Sequence, residues 1–314
     1  MGTPQCACPL LERLIDKEQI IGVITQPDRQ RGRGKKISSS PVKVLAEKKG
    51  ILIYQPEDVN SSSFIFQMRD SSPDVIVVVA FGKILSSKFL SIPKVCALNV
   101  HPSLLPQYRG PAPIPWAIIK GEKETGITVH KIEKEVDKGK IIIQHKLSIG
   151  LFDTIKSLET KFSLVGATLL IKAIDMIKNG SVKYIAQDEK QATYAPRIKE
   201  KDTKIDWNRP SLEIHNLVRG LNPYYGAFTF VKIREKKVKM KIWQTEPSKE
   251  ALGEDFQPGE IIHICKERGF LVKGGKGSLL VKKVQILNRN IISGYDFIKG
   301  YQIKKGIILG AKYE

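Results

Sequence analysis

The run Ala97-Leu98-Asn99-Val100-His101-Pro102-Ser103 places two chemically capable side chains two positions apart. Residues at that spacing point to the same side of a strand, so Asn99 and His101 would project together from a strand's carboxyl end. An imidazole exchanges protons near neutral pH. A neighbouring carboxamide donates to an oxygen that gains negative charge. Acyl or formyl transfer has both needs at one carbonyl. Asp137, in Val136-Asp137-Lys138-Gly139, would add a carboxylate if the fold brings it alongside. It would favour the imidazolium and fix the ring's tautomer. Each residue also has a plainer reading. A histidine just after a strand is commonly a surface residue, and Asp-x-Gly is an ordinary turn.

A second group of residues suits a polyanion. Arg29, Arg31, Arg33, Lys35 and Lys36 put five cations within eight residues, and Gly32 and Gly34 keep that stretch flexible. Such a loop cannot pack into a core, yet it follows a strand end. It fits contact with a phosphate backbone, ordering on contact. A solvated loop is the plainer reading. Net charge is +20, which favours a polyanionic partner through counterion release. A lysine-rich proteome would give the same total, so position must decide. Lys232, Arg234, Lys236, Lys237, Lys239 and Lys241 form a later cluster that suits nucleic-acid backbone contact or a solvated strand face.

The elements that must hold these residues follow from periodicity. Strands are expected at 20–24, 51–54, 75–80, 97–101, 126–131 and 140–145, with helices at 6–17, 41–49, 61–70, 115–120 and 154–178. Ser40 caps the second helix, Pro41 takes its first position and Gly50 ends it. The apolar run 75–81 suits a strand buried on both faces and is far below the ~18 residues of a membrane span. This alternation predicts an α/β fold with a doubly wound, largely parallel, Rossmann-like sheet, and ligands bind such sheets at the strands' carboxyl ends. Short strands at 227–231, 238–243, 259–265, 269–272 and 278–287 predict a small OB-like antiparallel β-barrel. The expected division is 1–186 as catalytic domain, 187–203 as polar linker and 204–314 as barrel domain. Cys6, Cys8, Cys96 and Cys265 make no metal-ligand pattern and read as free thiols of a cytosolic protein.

Asn99-x-His101-x-Ser103-Leu104-Leu105-Pro106, then Tyr108-Arg109-Gly110, a Gly126-Ile127-Thr128 strand and Asp137-x-Gly139 together resemble the folate-dependent formyltransferases. The resemblance implies a catalytic trio of Asn99, His101 and Asp137. It implies a tetrahydrofolate-binding loop at Ser103, Leu104, Leu105 and Pro106. It also implies a pterin-lining strand end with Phe81, Ile84 and Leu85. Within that family, three further stretches resemble the methionyl-tRNA formyltransferases. They are Gly2-Thr3-Pro4, the loop Thr25 to Lys36 that leads into Ser40-Pro41-Val42-Lys43, and Tyr194-Ala195-Pro196-Arg197 with Lys204-Ile205-Asp206-Trp207 and Arg219-Gly220-Leu221-Asn222-Pro223. This implies 10-formyltetrahydrofolate as co-substrate, no metal, initiator methionyl-tRNA as partner, no membrane and a cytoplasmic monomer. Arg29, Arg31, Arg33, Lys35 and Lys36 would contact tRNA.

Some residues depart from the family pattern. Lys140 stands where an acidic residue is usual, Lys138 is also basic, and Pro102 replaces a frequent glycine. The chain opens in the loop that normally follows a first strand, so that strand is expected to be missing and the natural start to lie upstream. The remaining histidines, His130, His145, His215 and His263, have no partner in sequence and are expected to be structural or exposed. Two rival functions stay open at this level. One is a sugar-nucleotide amine formyltransferase, which would not need the arginine-rich arm. The other is a tRNA-binding protein that has lost catalysis, which would not need the trio.

Overall fold

The computed structural model describes residues 1–31, 36–248 and 255–311. A short 3-10 turn leads into α1 (Cys8–Lys17), followed by β1 (Val23–Ile24), β2 (Arg29–Arg31), β3 (Lys36–Ser38), α2 (Pro41–Lys48), β4 (Ile53–Tyr54) and α3 (Ser62–Asp70). Next come β5 (Val75–Val78), α4 (Ser87–Leu90), β6 (Cys96–His101), α5 (Pro113–Ile119), β7 (Glu124–Lys131), β8 (Ile141–Ser148) and α6 (Ile155–Lys178). The later elements are α7 (Ser211–Gly220), β9 (Ala227–Ile233), β10 (Lys236–Ser248), β11 (Ile261–Cys265), β12 (Gly269–Lys273), β13 (Ser278–Ile286), β14 (Ile292–Ser293) and α8 (Gly294–Tyr301).

Contacts divide the chain into two units. The first holds Met1–Pro113, Glu124–Ser148 and Glu159–Pro196; the second holds Ile114–Lys123, Ile149–Leu158 and Arg197–Glu314. The chain therefore crosses more than once, where the sequence suggests a single linker at 187–203. In the first unit β1 pairs with β4 and β5 with β6, both parallel. From β6 onward the sheet turns antiparallel through β7 and β8. The helix starts are local chemistry: the hydroxyls of Ser40, Ser61 and Ser86 accept from the amides three residues on.

Strand alternation sorts the core into two layers. Cys96, Leu98 and Val100 of β6 pack with Leu10 and Leu14 of α1 and Phe162, Leu170 and Ile174 of α6. Ala97 faces the other layer, with Phe64 and Met68 of α3, Phe89 of α4, and Ile76 and Val78 of β5. Asn99 and His101 continue the Ala97 side, at the strand's carboxyl end. β5 stops at Val78, short of the expected residue 80, because Ala80 adopts φ +48° and turns the chain.

Among the described residues, Met1 and Gly2 bridge the two parallel pairs near their carboxyl ends. Gly2 N donates to Ile24 O, and Val79 N donates to Met1 O. The rest of the gap is a cavity of about 580 Å³ lined by Leu10, Leu14, Val23, Val75, Val77 and Ile174. Met1 N donates to Val77 O at 2.6 Å.

The second unit is antiparallel, in the order β11-β12-β13-β10-β9, with β14 on β13. The chain after α8 closes it. Ile261 N donates to Ile307 O and Leu309 N to Gly259 O on one edge, while Gly310 N donates to Phe230 O on the other. Val231, Met240, Ile242, Val272, Leu279 and Val281 fill the barrel. Sequence periodicity missed α7 and α8.

Candidate active site

The antiparallel register of β6 and β7 sets Asn99 opposite His130 and His101 opposite Thr128. The turn after β7 then returns Asp137 to the same place. It can do so because Gly139 has no side chain: a Cβ there would lie 1.7 Å from the Lys131 carbonyl oxygen. Asp137 itself holds φ +55°, a left-handed conformation that aspartate tolerates better than most residues.

The trio expected from sequence is brought together. Asn99 Nδ2 donates to Asp137 Oδ1 at 3.4 Å, and His101 Nδ1 lies 3.7 Å from Asp137 Oδ2. Gly110 N donates to Asp137 Oδ2 at 2.8 Å. The tautomers follow from partners that can only accept. His101 Nε2 donates to the Tyr108 carbonyl at 3.0 Å, so the neutral ring keeps its lone pair on Nδ1, facing Asp137. The sequence reading gave the tautomer to Asp137; in the structure the Tyr108 carbonyl sets it.

His130 was expected to be structural or exposed. It is 1 % exposed and belongs to the site. Its Nδ1 donates to the Lys131 carbonyl at 2.9 Å, which leaves Nε2 to accept from Asn99 Nδ2 at 3.1 Å. That fixes the carboxamide with its nitrogen turned toward Asp137. The signal was present in the alternation of β7, but only the pairing with β6 gives it meaning.

Charge states are set by burial and neighbours. Burial alone would raise the Asp137 carboxyl, but the His130 ring in its protonated form, the charge of protonated His101 and the Gly110 N–H outweigh it and bring it down to about 2. Burial lowers the His101 pKa below its ordinary value, and His130 adds to this; Asp137 and the Tyr108 carbonyl pull the other way without reversing it. At neutral pH the site therefore holds an ionised carboxylate beside a neutral imidazole with one open nitrogen. Lys138, next to Asp137, is engaged elsewhere. Lys138 pairs with Glu135 at 2.5 Å and lies 3.7 Å from Glu189.

The loop after β6 is tied to the sheet. Ser103 is fully buried and donates to Gln107 O at 2.6 Å. Leu105 N donates to Thr128 Oγ1, which donates to Ser103 O, and Gln144 Nε2 donates to Leu105 O. Leu105–Pro106 is cis. Leu104 lies over Gly126, where a Cβ would come within 2.3 Å of its side chain. Leu104 and Pro106 are half-buried and face outward more than Ser103 and Leu105. At the end of β5, Phe81 and Leu85 are core residues, whereas Ile84 is 74 % exposed. Gln26 Nε2 donates to Phe81 O, tying the start of the basic loop to this strand end.

In that basic loop Arg29 is exposed and opens a two-strand hairpin of β2 and β3. Arg31 and Lys36 are paired in it by their backbones. Arg33 and Lys35 lie outside the described residues. Asp28, Lys43 and Gln55 brace the base: Lys43 Nζ lies 2.6 Å from Asp28 Oδ2, and Gln55 Nε2 donates to Asp28 Oδ1. In the second unit Lys237, Lys239 and Lys241 alternate along β10, over Phe230, Phe228 and Trp243 respectively. Lys239 also pairs with Glu200 at 2.6 Å. Among the described residues no cluster of His, Cys, Asp and Glu could hold a metal ion, and no helix is long and apolar enough to cross a membrane.

The chain matches the formyl transferase family over residues 1–174 and the formyl transferase C-terminal domain over 197–302. It is 41 % identical over 311 residues to a methionyl-tRNA formyltransferase of Geobacter metallireducens, covering 99 % of this chain and 97 % of that one. A methionyl-tRNA formyltransferase of Fusobacterium nucleatum is 40 % identical, covering 98 % and 97 %. Among solved structures, an N-formyltransferase of Helicobacter canadensis, in complex with folinic acid and dTDP-3-aminofucose, superposes with a TM-score of 0.67 at 22 % identity, covering 89 % of this chain and 96 % of that one. HypX of Aquifex aeolicus, in complex with tetrahydrofolic acid, gives 0.60 at 17 %, covering 82 % and 44 %. These two likenesses concern the fold. The sequence matches run through both parts of the chain at about 40 % identity, and the chain belongs to the methionyl-tRNA formyltransferase family.

Proposed function

We propose that this enzyme transfers the formyl group of 10-formyltetrahydrofolate to the α-amino group of methionyl-initiator tRNA, the modification that marks a tRNA for translation initiation. The observation that carries the chemistry is the convergence of Asn99, His101 and Asp137 within 3.4–3.7 Å at the carboxyl end of β6. Full-length likeness to methionyl-tRNA formyltransferases supports the acceptor.

Each residue has a defined task. An α-amine is neutral often enough near pH 7 to attack the formyl carbon directly. Asn99 Nδ2 lies at the strand end, where its donor can turn to the carbonyl oxygen as charge develops. The amine must lose a proton and the departing folate nitrogen must gain one. His101, neutral and open at Nδ1, can take the first and return it to the second, directly or through a water. Asp137, ionised beside Nδ1, stabilises the imidazolium while it carries the proton.

The side chains offered to the folate are Ile84, Leu104 and Pro106, an apolar set suited to a flat ring; Ser103, Leu105, Phe81 and Leu85 shape the wall behind them. Arg29, Arg31, Arg33, Lys35 and Lys36 are proposed to contact the tRNA.

The test is formyl transfer from 10-formyltetrahydrofolate to methionyl-tRNA, comparing initiator with elongator tRNA. Formylation confined to the initiator supports the proposal. Transfer to an aminosugar nucleotide but not to tRNA would overturn the acceptor. Binding of tRNA without any transfer would overturn the enzymatic reading.

A further inference from the structure

The stretch 187–195 begins the segment expected to be a linker, yet it is fastened across both loops that carry the site. Thr193 N donates to Pro106 O, Arg109 N to Thr193 O at 2.9 Å, Ala195 N to Arg109 O at 2.7 Å and Ala112 N to Ala195 O. Tyr108 N donates to Thr193 Oγ1 at 2.9 Å. These bonds fix the loop that supplies the Tyr108 carbonyl to His101 and the Gly110 amide to Asp137.

Side chains make the second tie. Arg109 is 1 % exposed, unusual for a guanidinium. Its Nη1 and Nη2 donate to the two carboxylate oxygens of Glu189 at 3.0 and 2.9 Å. Its Nε and Nη2 donate to Gln187 Oε1 at 3.0 and 2.8 Å. Gln187 Nε2 in turn donates to Asp137 O at 2.7 Å and Gly139 O at 2.8 Å. One carboxamide thus accepts from the His101 side and donates twice to the Asp137 turn. Glutamine suits this junction because a carboxylate could not donate to two carbonyls and an ammonium could not accept from Arg109. The turn needs an outside hold, because Asp137 sits at φ +55° and Gly139 lies against the Lys131 carbonyl.

We propose that Gln187 is a positioning residue that sets the separation of Asp137 from His101, with Arg109 and Glu189 orienting its carboxamide. This rests on the formyl-transfer reading for its consequence in catalysis, but not for its effect on His101. Loosening the turn weakens the carboxylate that raises the His101 pKa, so the ring should titrate at lower pH.

The test uses Gln187→Met, which keeps the side chain's bulk and removes its hydrogen bonds, and Glu189→Gln, which loosens Arg109 from an exposed site. His101 is titrated by NMR in the full-length protein without substrate, its signal assigned against His101→Gln. Both variants are expected to move the His101 titration to lower pH, Gln187→Met further. In turnover, kcat is expected to fall about tenfold or more with KM for folate and tRNA little changed, as misplacement of a reacting group predicts. An unchanged His101 titration in folded Gln187→Met overturns the proposal. If Gln187→Met does not fold, an unchanged titration in Glu189→Gln does the same. A wild-type protein without formyl transfer, but with the titration shift, would remove the functional reading and leave this one standing.

Discussion

Asp137→Asn isolates the charge from the geometry. The amide has the carboxylate's shape, and its oxygen can still accept from Gly110 N. What disappears is the long Asn99 bond at Oδ1 and, above all, the attraction between a carboxylate and an imidazolium 3.7 Å apart, with side chains only 11 % and 5 % exposed. At that distance and an effective dielectric constant of about 20, the interaction is about 4.5 kcal/mol. A proton carried partly or wholly by His101 in the transition state feels between half and all of it, so kcat should fall roughly 50- to 2,000-fold. Single-turnover formyl transfer across pH 5–9 reads both rate and titration. His101 must be neutral to accept a proton, so activity falls as pH drops through its pKa. Removing the carboxylate that raises this pKa moves the acid limb to lower pH. Transfer within fivefold of wild type, or an acid limb moved to higher pH, would refute the role given to Asp137. Stability supplies an independent check. A carboxyl held at about 2, below its ordinary 3.8, stabilises the fold fully above 3.8 and loses that contribution as pH falls toward 2. Wild type should therefore lose about 2 kcal/mol over that interval relative to Asp137→Asn, measured by urea unfolding at each pH.

Other substitutions follow from the same geometry. Asn99→Ala should lower kcat by roughly 10²–10³ with KM nearly unchanged, and near-normal turnover would remove Asn99 from oxyanion stabilisation. His130→Phe keeps a ring but removes the Nε2 acceptor and leaves Asn99 Nδ2 held by Asp137 alone, so kcat should fall about tenfold; equal kcat would mean that Asn99 needs no orientation by this ring. Gly139→Ala drives a Cβ against the Lys131 carbonyl and should cost more than about 2 kcal/mol in urea unfolding, with loss of activity; a stable, active variant would show that the turn can open.

Much of the first unit was legible locally. The Ser40–Pro41 start, the strand at Cys96–His101 and the shared side of Asn99 and His101 depend on neighbours within a few residues. The second unit's strands were legible for the same reason, whereas α7 was not. Its polar residues His215, Asn216 and Arg219 look like a surface in sequence but are buried. His215 meets Thr245 Oγ1 and Leu151 O, and Arg219 donates to Gly150 O and Asp153 O, partners 30 to 69 positions away. The 187–203 segment misled in the same way: its polarity reads as solvation, but Gln187 and Glu189 bond to Arg109 and Gln187 to the Asp137 turn.

By itself the sequence determined which residue types were available for formyl transfer, the family they resemble, and the strand ends that present them. It did so because those facts rest on spacing of one to a few positions. Tertiary structure alone decided that β7 runs antiparallel to β6 and so places His130 against Asn99. It decided that the Tyr108 carbonyl rather than Asp137 sets the His101 tautomer, and that burial keeps this ring neutral beside an ionised carboxylate. Protonation states and tautomers depend on desolvation and on partners from distant segments, and neither exists until the chain has folded.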